Sequence, residues 1–131
     1  MALILITHDL GVVAENTDQM LVMYAGRIVE RGPTQKVFKH LAHPYTRGLF
    51  ASIPDYEKSL NEISQQLENF QENRLPTIPG RVPEFWERSR GCSFADRCSR
   101  KQAKCSLLVP DEIQYSAGHF TACFFPSEQN A

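Results

Sequence analysis

No apolar run in the sequence approaches the roughly 20 residues that a membrane-crossing helix needs, so these residues are not expected to form such a helix. Excess charge of either sign is also missing. Fourteen Lys and Arg against fifteen Asp and Glu leave a net charge of −1, too little for a basic field that would draw in nucleic acid or anionic lipid. A G-x-x-x-x-G-K-[ST] loop occurs nowhere, and with it go the backbone cradle for phosphates and the hydroxyl that holds Mg²⁺. The apolar stretch Met1 to Ile6 has neither a charged leader nor a cleavage site beside it, so the chain is expected in the cytoplasm, touching membrane only through a partner. Cysteine is scarce: four residues, all among the last forty.

What remains is ordinary for a globular protein. The 131 residues, 42% hydrophobic and 22% charged, suit one domain, or the tail of a domain with an appendage. A chain of this size buries about two thirds of the surface its unfolded form exposes, enough for a modest core.

Ala2-Leu3-Ile4-Leu5-Ile6 reads as a fully buried strand of a parallel sheet, which needs neighbours on both sides. Nothing upstream supplies them, so the sequence is expected to be a piece of a larger protein. Leu10 to Asn16 is a short helical stretch with Asp9 as its N-cap. Met20 to Tyr24 and Arg27 to Glu30 form strands around an Ala25-Gly26 turn, a hairpin pattern. Gly32-Pro33-Thr34 ends it, Thr34 to His40 reads as a helix, and Pro44 starts another that continues from Tyr45 to Ile53. Leu60, Ile63, Leu67 and Phe70 lie three or four apart, one narrow apolar stripe that must pack on its own domain or on a second copy. From Leu75 onward Pro76, Pro79 and Pro83 interrupt regular structure. This loop-rich tail is short of apolar residues and calls for a staple.

His8 stands at the C-terminal end of the first apolar run, the edge at which open α/β sheets bind ligands. A structural or loop histidine is the plain alternative. The surrounding string LITHDLGVVAENTDQMLVMYAGRIVERGPTQKVF, residues 5 to 38, closely resembles the switch-histidine region of ABC transporter ATPases. That resemblance implies that His8 contacts the γ-phosphate of ATP and helps to position the attacking water. Phosphoryl transfer depends mostly on such positioning and on charge stabilisation, and a neutral imidazole can donate from one nitrogen while the other orients it. Asp9 is read as a cap. The acidic strand end for Mg²⁺, the water-polarising glutamate and the ABC signature are absent, so the chain alone is expected to bind and hydrolyse no ATP.

His43-Pro44-Tyr45-Thr46 resembles the motif that opens the C-terminal extension of oligopeptide and dipeptide transporter ATPases, a group that also includes nickel importers. The motif identifies the family and points to no reactive group.

Cys92, Cys98, Cys105 and Cys123 have the spacing C-x5-C-x6-C-x17-C. A reducing cytoplasm disfavours disulfides. Zinc sites commonly pair ligands about two to four residues apart, and no pair here is that close. Four soft sulfur ligands from separate loops suit an iron–sulfur cluster, and four separately packed thiols are the remaining alternative. The stretch LPTIPGRVPEFWERSRGCSFADRCSRKQAKC resembles the cysteine-bearing tail of the D-type ATPase subunit of peptide permeases, which implies a [4Fe–4S] cluster on the four cysteines. Ser99 replaces the proline of many relatives. His119 is the reserve ligand, and Arg97 beside Cys98 could offset thiolate charge.

The expected fold class is accordingly α/β, or α+β as an isolated piece. Residues 1–42 would be the C-terminal end of an ABC-type P-loop NTPase domain, and residues 43–131 an extension with its four-cysteine tail at 75–126. By resemblance the full-length subunit binds ATP and Mg²⁺ and drives peptide import. Its implied partners are a second ATPase subunit, two membrane permease subunits and, indirectly, an extracytoplasmic peptide-binding protein. The unpaired first strand should make the isolated chain oligomeric or strand-swapped. The alternative function is a stand-alone four-cysteine metal-binding or redox-sensing module.

Overall fold

A computed structural model describes residues 2–53, 77–87 and 90–127. The stripe at Leu60, Ile63, Leu67 and Phe70 lies outside the described residues.

The hairpin forms where the sequence pattern places it. Strand β1 spans Gln19–Tyr24 and β2 spans Arg27–Pro33. Ala25 and Gly26 between them both have positive φ, 47° and 77°, the turn whose twist matches that of the flanking strands. In β1, Met20, Val22 and Tyr24 are buried while Leu21 and Met23 are exposed, the period of two expected of a strand with one face on a core. The strand β2 continues to Pro33, past the expected break at Gly32, and pairs Gln19 with Pro33 at its far end.

The four-stranded sheet has the order β1-β2-β4-β3, where β3 is Ile113–Ser116 and β4 is His119–Thr121. All three pairings are antiparallel. Glu30 and Arg31 of β2 lie opposite Thr121 and Phe120, so the sheet is completed by residues from the far end of the chain. Gly32 sits where β4 passes close: an added Cβ would meet the Gly118 carbonyl oxygen and His119 Cα at 3.1 Å.

Among the described residues, four short helices accompany the sheet: α1 Leu10–Asn16, α2 Thr34–Lys39, α3 Pro44–Ala51 and α4 Ala103–Leu107. Asp9 caps α1 through Oδ1, which accepts from Gly11 N–H at 2.9 Å and Val12 N–H at 3.1 Å. The core gathers Met20, Val22, Tyr24, Val29 and Val37 with Phe94 from the cysteine-bearing tail.

Ala2 to Ile6 differs from expectation. These residues form no strand, and Leu3, Ile4 and Ile6 are 76%, 89% and 94% exposed. A buried strand requires ladder partners for its N–H and C=O groups, and among the described residues each strand of the sheet pairs only within the set β1 to β4. Among the described residues no helix is long and apolar enough to cross a membrane.

Candidate functional site

Two arrangements stand out: a cavity lined by cysteines and, next to it, a buried carboxylate. The carboxylate belongs to Glu30 on β2, which is fully buried. It accepts the Ala42 N–H on Oε1 and the His43 N–H on Oε2, both at 2.8 Å, and His119 Nε2 lies 2.7 Å from Oε1. A buried carboxylate is tolerated only when its oxygens are satisfied, and here three donors converge on it. Glu30 thereby fixes the start of α3 and the first residue of β4 to the same strand. His119 Nδ1 finds no hydrogen-bond partner among the described residues. His119 is therefore not a reserve ligand beside Cys123: its ring is engaged by Glu30, and it does not line the cysteine cavity.

The cavity itself has a volume of about 20 Å³ and is lined by all four cysteines, with His43, Phe94 and Arg100 among its other walls. Local backbone geometry brings the thiols together. Cys92 N–H donates to the Cys105 carbonyl at 2.8 Å, which locks the 91–92 segment onto α4. Gly91 permits that approach, because an added Cβ would stand 2.3 Å from the same carbonyl oxygen. A short 3₁₀ turn at Ala95–Arg97 then carries the chain from Cys92 round to Cys98.

None of the four cysteines is in a disulfide. Burial pushes the Cys123 thiol up to about 11 and raises Cys92 and Cys98 as well, and the neighbouring thiols add to each rise. Opposing this, the backbone N–H groups of Phe94 and Ala95 favour the thiolate of Cys92, that of Phe125 favours Cys123, and both the backbone and the charge of Arg100 favour Cys98. Cys92, Cys98 and Cys123 thus keep their protons at neutral pH unless a cation is present, while amide donors for their anionic sulfurs are already in place.

Four soft ligands thus line one cavity, with no carboxylate among the lining residues. Among the described residues, no three His, Cys, Asp or Glu are arranged to hold a metal ion, so neither zinc nor an iron–sulfur cluster has a ready-made site in this arrangement. The charge near Cys98 comes from Arg100. Arg97, expected in that role, instead donates to the Pro79 carbonyl at 2.7 Å and the Ile78 carbonyl at 3.1 Å.

The histidine of the His-Pro-Tyr motif was not expected at a site. His43 Nδ1 accepts the Tyr45 N–H at 3.0 Å and so caps α3, and Pro44 occupies the first helical turn, where its missing N–H costs nothing. Burial lowers the His43 pKa to about 4, which keeps the ring neutral. Tyr45 packs inward, 4.7 Å from the Tyr24 ring and 5.4 Å from that of Phe94. The signal that could have flagged His43 was its type: a histidine serving as N-cap is uncommon beside the usual Ser, Thr, Asp and Asn.

His8 is exposed and precedes the cap residue of α1. It lines neither the cysteine cavity nor the Glu30 cluster.

A sheet built from both ends of the chain, an extension opened by His-Pro-Tyr and a four-cysteine tail together describe one class of protein. The family model for the oligopeptide/dipeptide transporter, C-terminal region, matches residues 29–105, and the chain belongs to that family. Among curated relatives, a peptide import ATP-binding protein of Brucella abortus (strain 2308) is 49% identical over 110 residues, covering 84% of this chain and 30% of the relative. A peptide ABC transporter ATP-binding protein of Sinorhizobium fredii (strain NBRC 101917 / NGR234) is 42% identical over 127 residues, covering 97% of this chain and 35% of the relative. A third, a peptide import ATP-binding protein of Brucella ovis, is 42% identical over 123 residues. The chain spans about a third of the length of these relatives.

Proposed function

We propose that this chain is the C-terminal part of the ATP-binding subunit of a bacterial peptide importer of the ABC type. The observation that carries the proposal is the identity of 42% to subunits so named, running through 97% of the chain. Residues 1–42 would complete a P-loop NTPase domain, and residues 43–131 the extension. ATP and Mg²⁺ bind the complete subunit, whose phosphate loop lies outside these residues. Two such subunits act beneath a pair of membrane permease subunits, at the inner face of the cell membrane, and a separate binding protein delivers the peptide. In that setting His8 holds the γ-phosphate and orients the attacking water, the positioning work on which phosphoryl transfer depends.

The cysteine tail carries a sulfur-ligated metal group, a [4Fe–4S] cluster by the family resemblance. Its support in the fold is the convergence of Cys92, Cys98, Cys105 and Cys123 on one cavity with amide donors beside their sulfurs. Such a group supplies a cross-link between loops and a redox-sensitive charge.

A chimera tests the whole proposal. Grafted in place of the matching C-terminal third of the Sinorhizobium fredii relative, the chain should support peptide-stimulated ATP hydrolysis. H8A in the graft should reduce that rate by at least about a hundredfold, the scale of a positioned proton-transfer or orienting group. Full turnover with H8A would remove His8 from the mechanism, and a folded but inactive graft would count against the assignment itself.

A further inference from the structure

Ser127 of the tail is only 4% exposed. Its main chain is held on both sides: the N–H donates to the Ala42 carbonyl and the carbonyl accepts the Tyr115 hydroxyl, each at 2.9 Å. Its side chain gathers two cations. Arg47 of α3 donates from Nη1 to Oγ at 3.0 Å, and Arg100, just after Cys98, donates from Nη1 to the same oxygen at 3.4 Å. The two arginines lie 80 and 27 positions from Ser127, so three separate stretches of chain meet at one hydroxyl.

Two features of this junction go beyond holding the tail in place. A hydroxyl oxygen has two acceptor sites and one hydrogen. The guanidiniums occupy the acceptor sites, so the Ser127 hydrogen is left to donate, and it meets no acceptor among the described residues. The second feature is charge. Two cations drawn onto one neutral oxygen repel each other. Among the described residues the ion-paired carboxylates are Glu30, Glu87, Asp96 and Glu112, whose partners are His119, Arg81, Lys101 and Arg31. Neither Arg47 nor Arg100 is among those partners. Both residues are exposed, so a ligand can reach their guanidiniums, and each spends one N–H on Ser127 and keeps the rest of its fork.

We propose that Arg47, Arg100 and the Ser127 hydroxyl form a binding site for a phosphate-type oxyanion, which ties α3, the cysteine loop and the tail together. Guanidinium forks match phosphate oxygens in geometry, and the charge of the ion relieves the repulsion between them. Three donors from three stretches of chain suit a tetrahedral set of oxygens, where a carboxylate offers only two. Ser127 is fixed through its own N–H and carbonyl before any ligand arrives, so little ordering is left to oppose binding. The site uses none of the cysteines and does not depend on what they hold.

Phosphate chemistry can arrive as the free ion or as the headgroup of a phosphomonoester lipid, and the test has an arm for each. The whole chain and its R47Q, R100Q and S127A forms are titrated with inorganic phosphate by calorimetry, in chloride buffer of constant ionic strength. They are also melted with and without phosphate, and floated with phosphatidylcholine vesicles that contain or lack phosphatidic acid. We expect saturable phosphate binding, a rise in Tm with phosphate, and affinity at least about tenfold lower in R47Q and in R100Q. S127A removes the hydroxyl donor and keeps both charges, so it should lose less. R100Q alters an exposed residue whose bond to Ser127 is the longer of the two. It should therefore melt like the wild type in chloride, which separates a lost ligand from a lost fold. Binding only to vesicles with phosphatidic acid, weakened in R100Q, supports the site with the headgroup as its ligand. A wild type that binds neither phosphate nor those vesicles overturns the proposal, as does binding that R47Q and R100Q leave unchanged.

Discussion

Glu30 shows how much can depend on one side chain. It sits in an otherwise unremarkable strand, yet the N–H groups of Ala42 and His43 and the ring of His119 all turn towards it. E30A leaves those three donors buried without an acceptor, and each buried donor left unsatisfied costs about 1–3 kcal/mol. Urea unfolding should therefore show a midpoint far below that of the wild type. A loss of under about 1 kcal/mol would mean that water reaches the donors. His43 offers a pH test on the metal-free chain. Its folded pKa of about 4 lies below its ordinary value of 6.5, so between these limits the unfolded chain takes up a proton that the folded chain refuses. Stability is full above about pH 6.5, falls as the pH drops, and levels off below about 4, a total change on the order of 3 kcal/mol. H43N should flatten this part of the curve in a series of urea unfolding measurements, leaving the carboxylate titrations in place.

At the scale of elements, the contrast between two glycines measures how tightly the tail is built. A Cβ on Gly91 would meet the Cys105 carbonyl oxygen at 2.3 Å, whereas one on Gly48 of α3 would meet only the Ile78 side chain, at 2.6 Å and 2.8 Å. Backbone cannot step aside as a side chain can. G91A should cost about 3 kcal/mol, the upper end of overpacking, and should separate α4 from the Cys92 loop. G48A should stay within about 1 kcal/mol of wild type, because alanine favours a helix interior by about that much. Thermal melts of both proteins decide this. The same contrast explains what could be read in advance. The β1–β2 hairpin, the Asp9 cap and the start at Pro44 are local, written in alternation and in turn and cap chemistry within a few residues. The pairing of β2 with β4 joins Glu30 to Thr121, and no local pattern carries such a contact. The cysteines announced themselves by type and grouping. Arg100 and His43, which stand around them, did not, since a solvated arginine and a capping histidine look the same in sequence whether or not a cavity lies beside them. Ala2 to Ile6 failed for the opposite reason: its apolar pattern describes neighbours that the sheet of this chain does not contain.

For the molecule as a whole, one edge of the sheet carries exposed apolar side chains. β1 is an edge strand, its outward Leu21 and Met23 are more than half exposed, and Ile28 across the turn is 40% exposed. The free Leu3, Ile4 and Ile6 add a further apolar segment of strand-like composition. Unpaired edges beside apolar surface invite pairing with a second copy. Light scattering should therefore give a mass above that of the 131-residue monomer, rising with concentration. The double substitution L21K and M23K should bring it down, while a monomeric wild type across the range would rule the pairing out. The Glu30 contact with His119 has another consequence, one of timing. The two residues are 89 positions apart, so when the chain is synthesised Glu30 leaves the ribosome long before its partner exists. Through that interval β2 waits with a bare carboxylate and an open edge, and a nascent chain halted short of β4 would display both to proteases and chaperones.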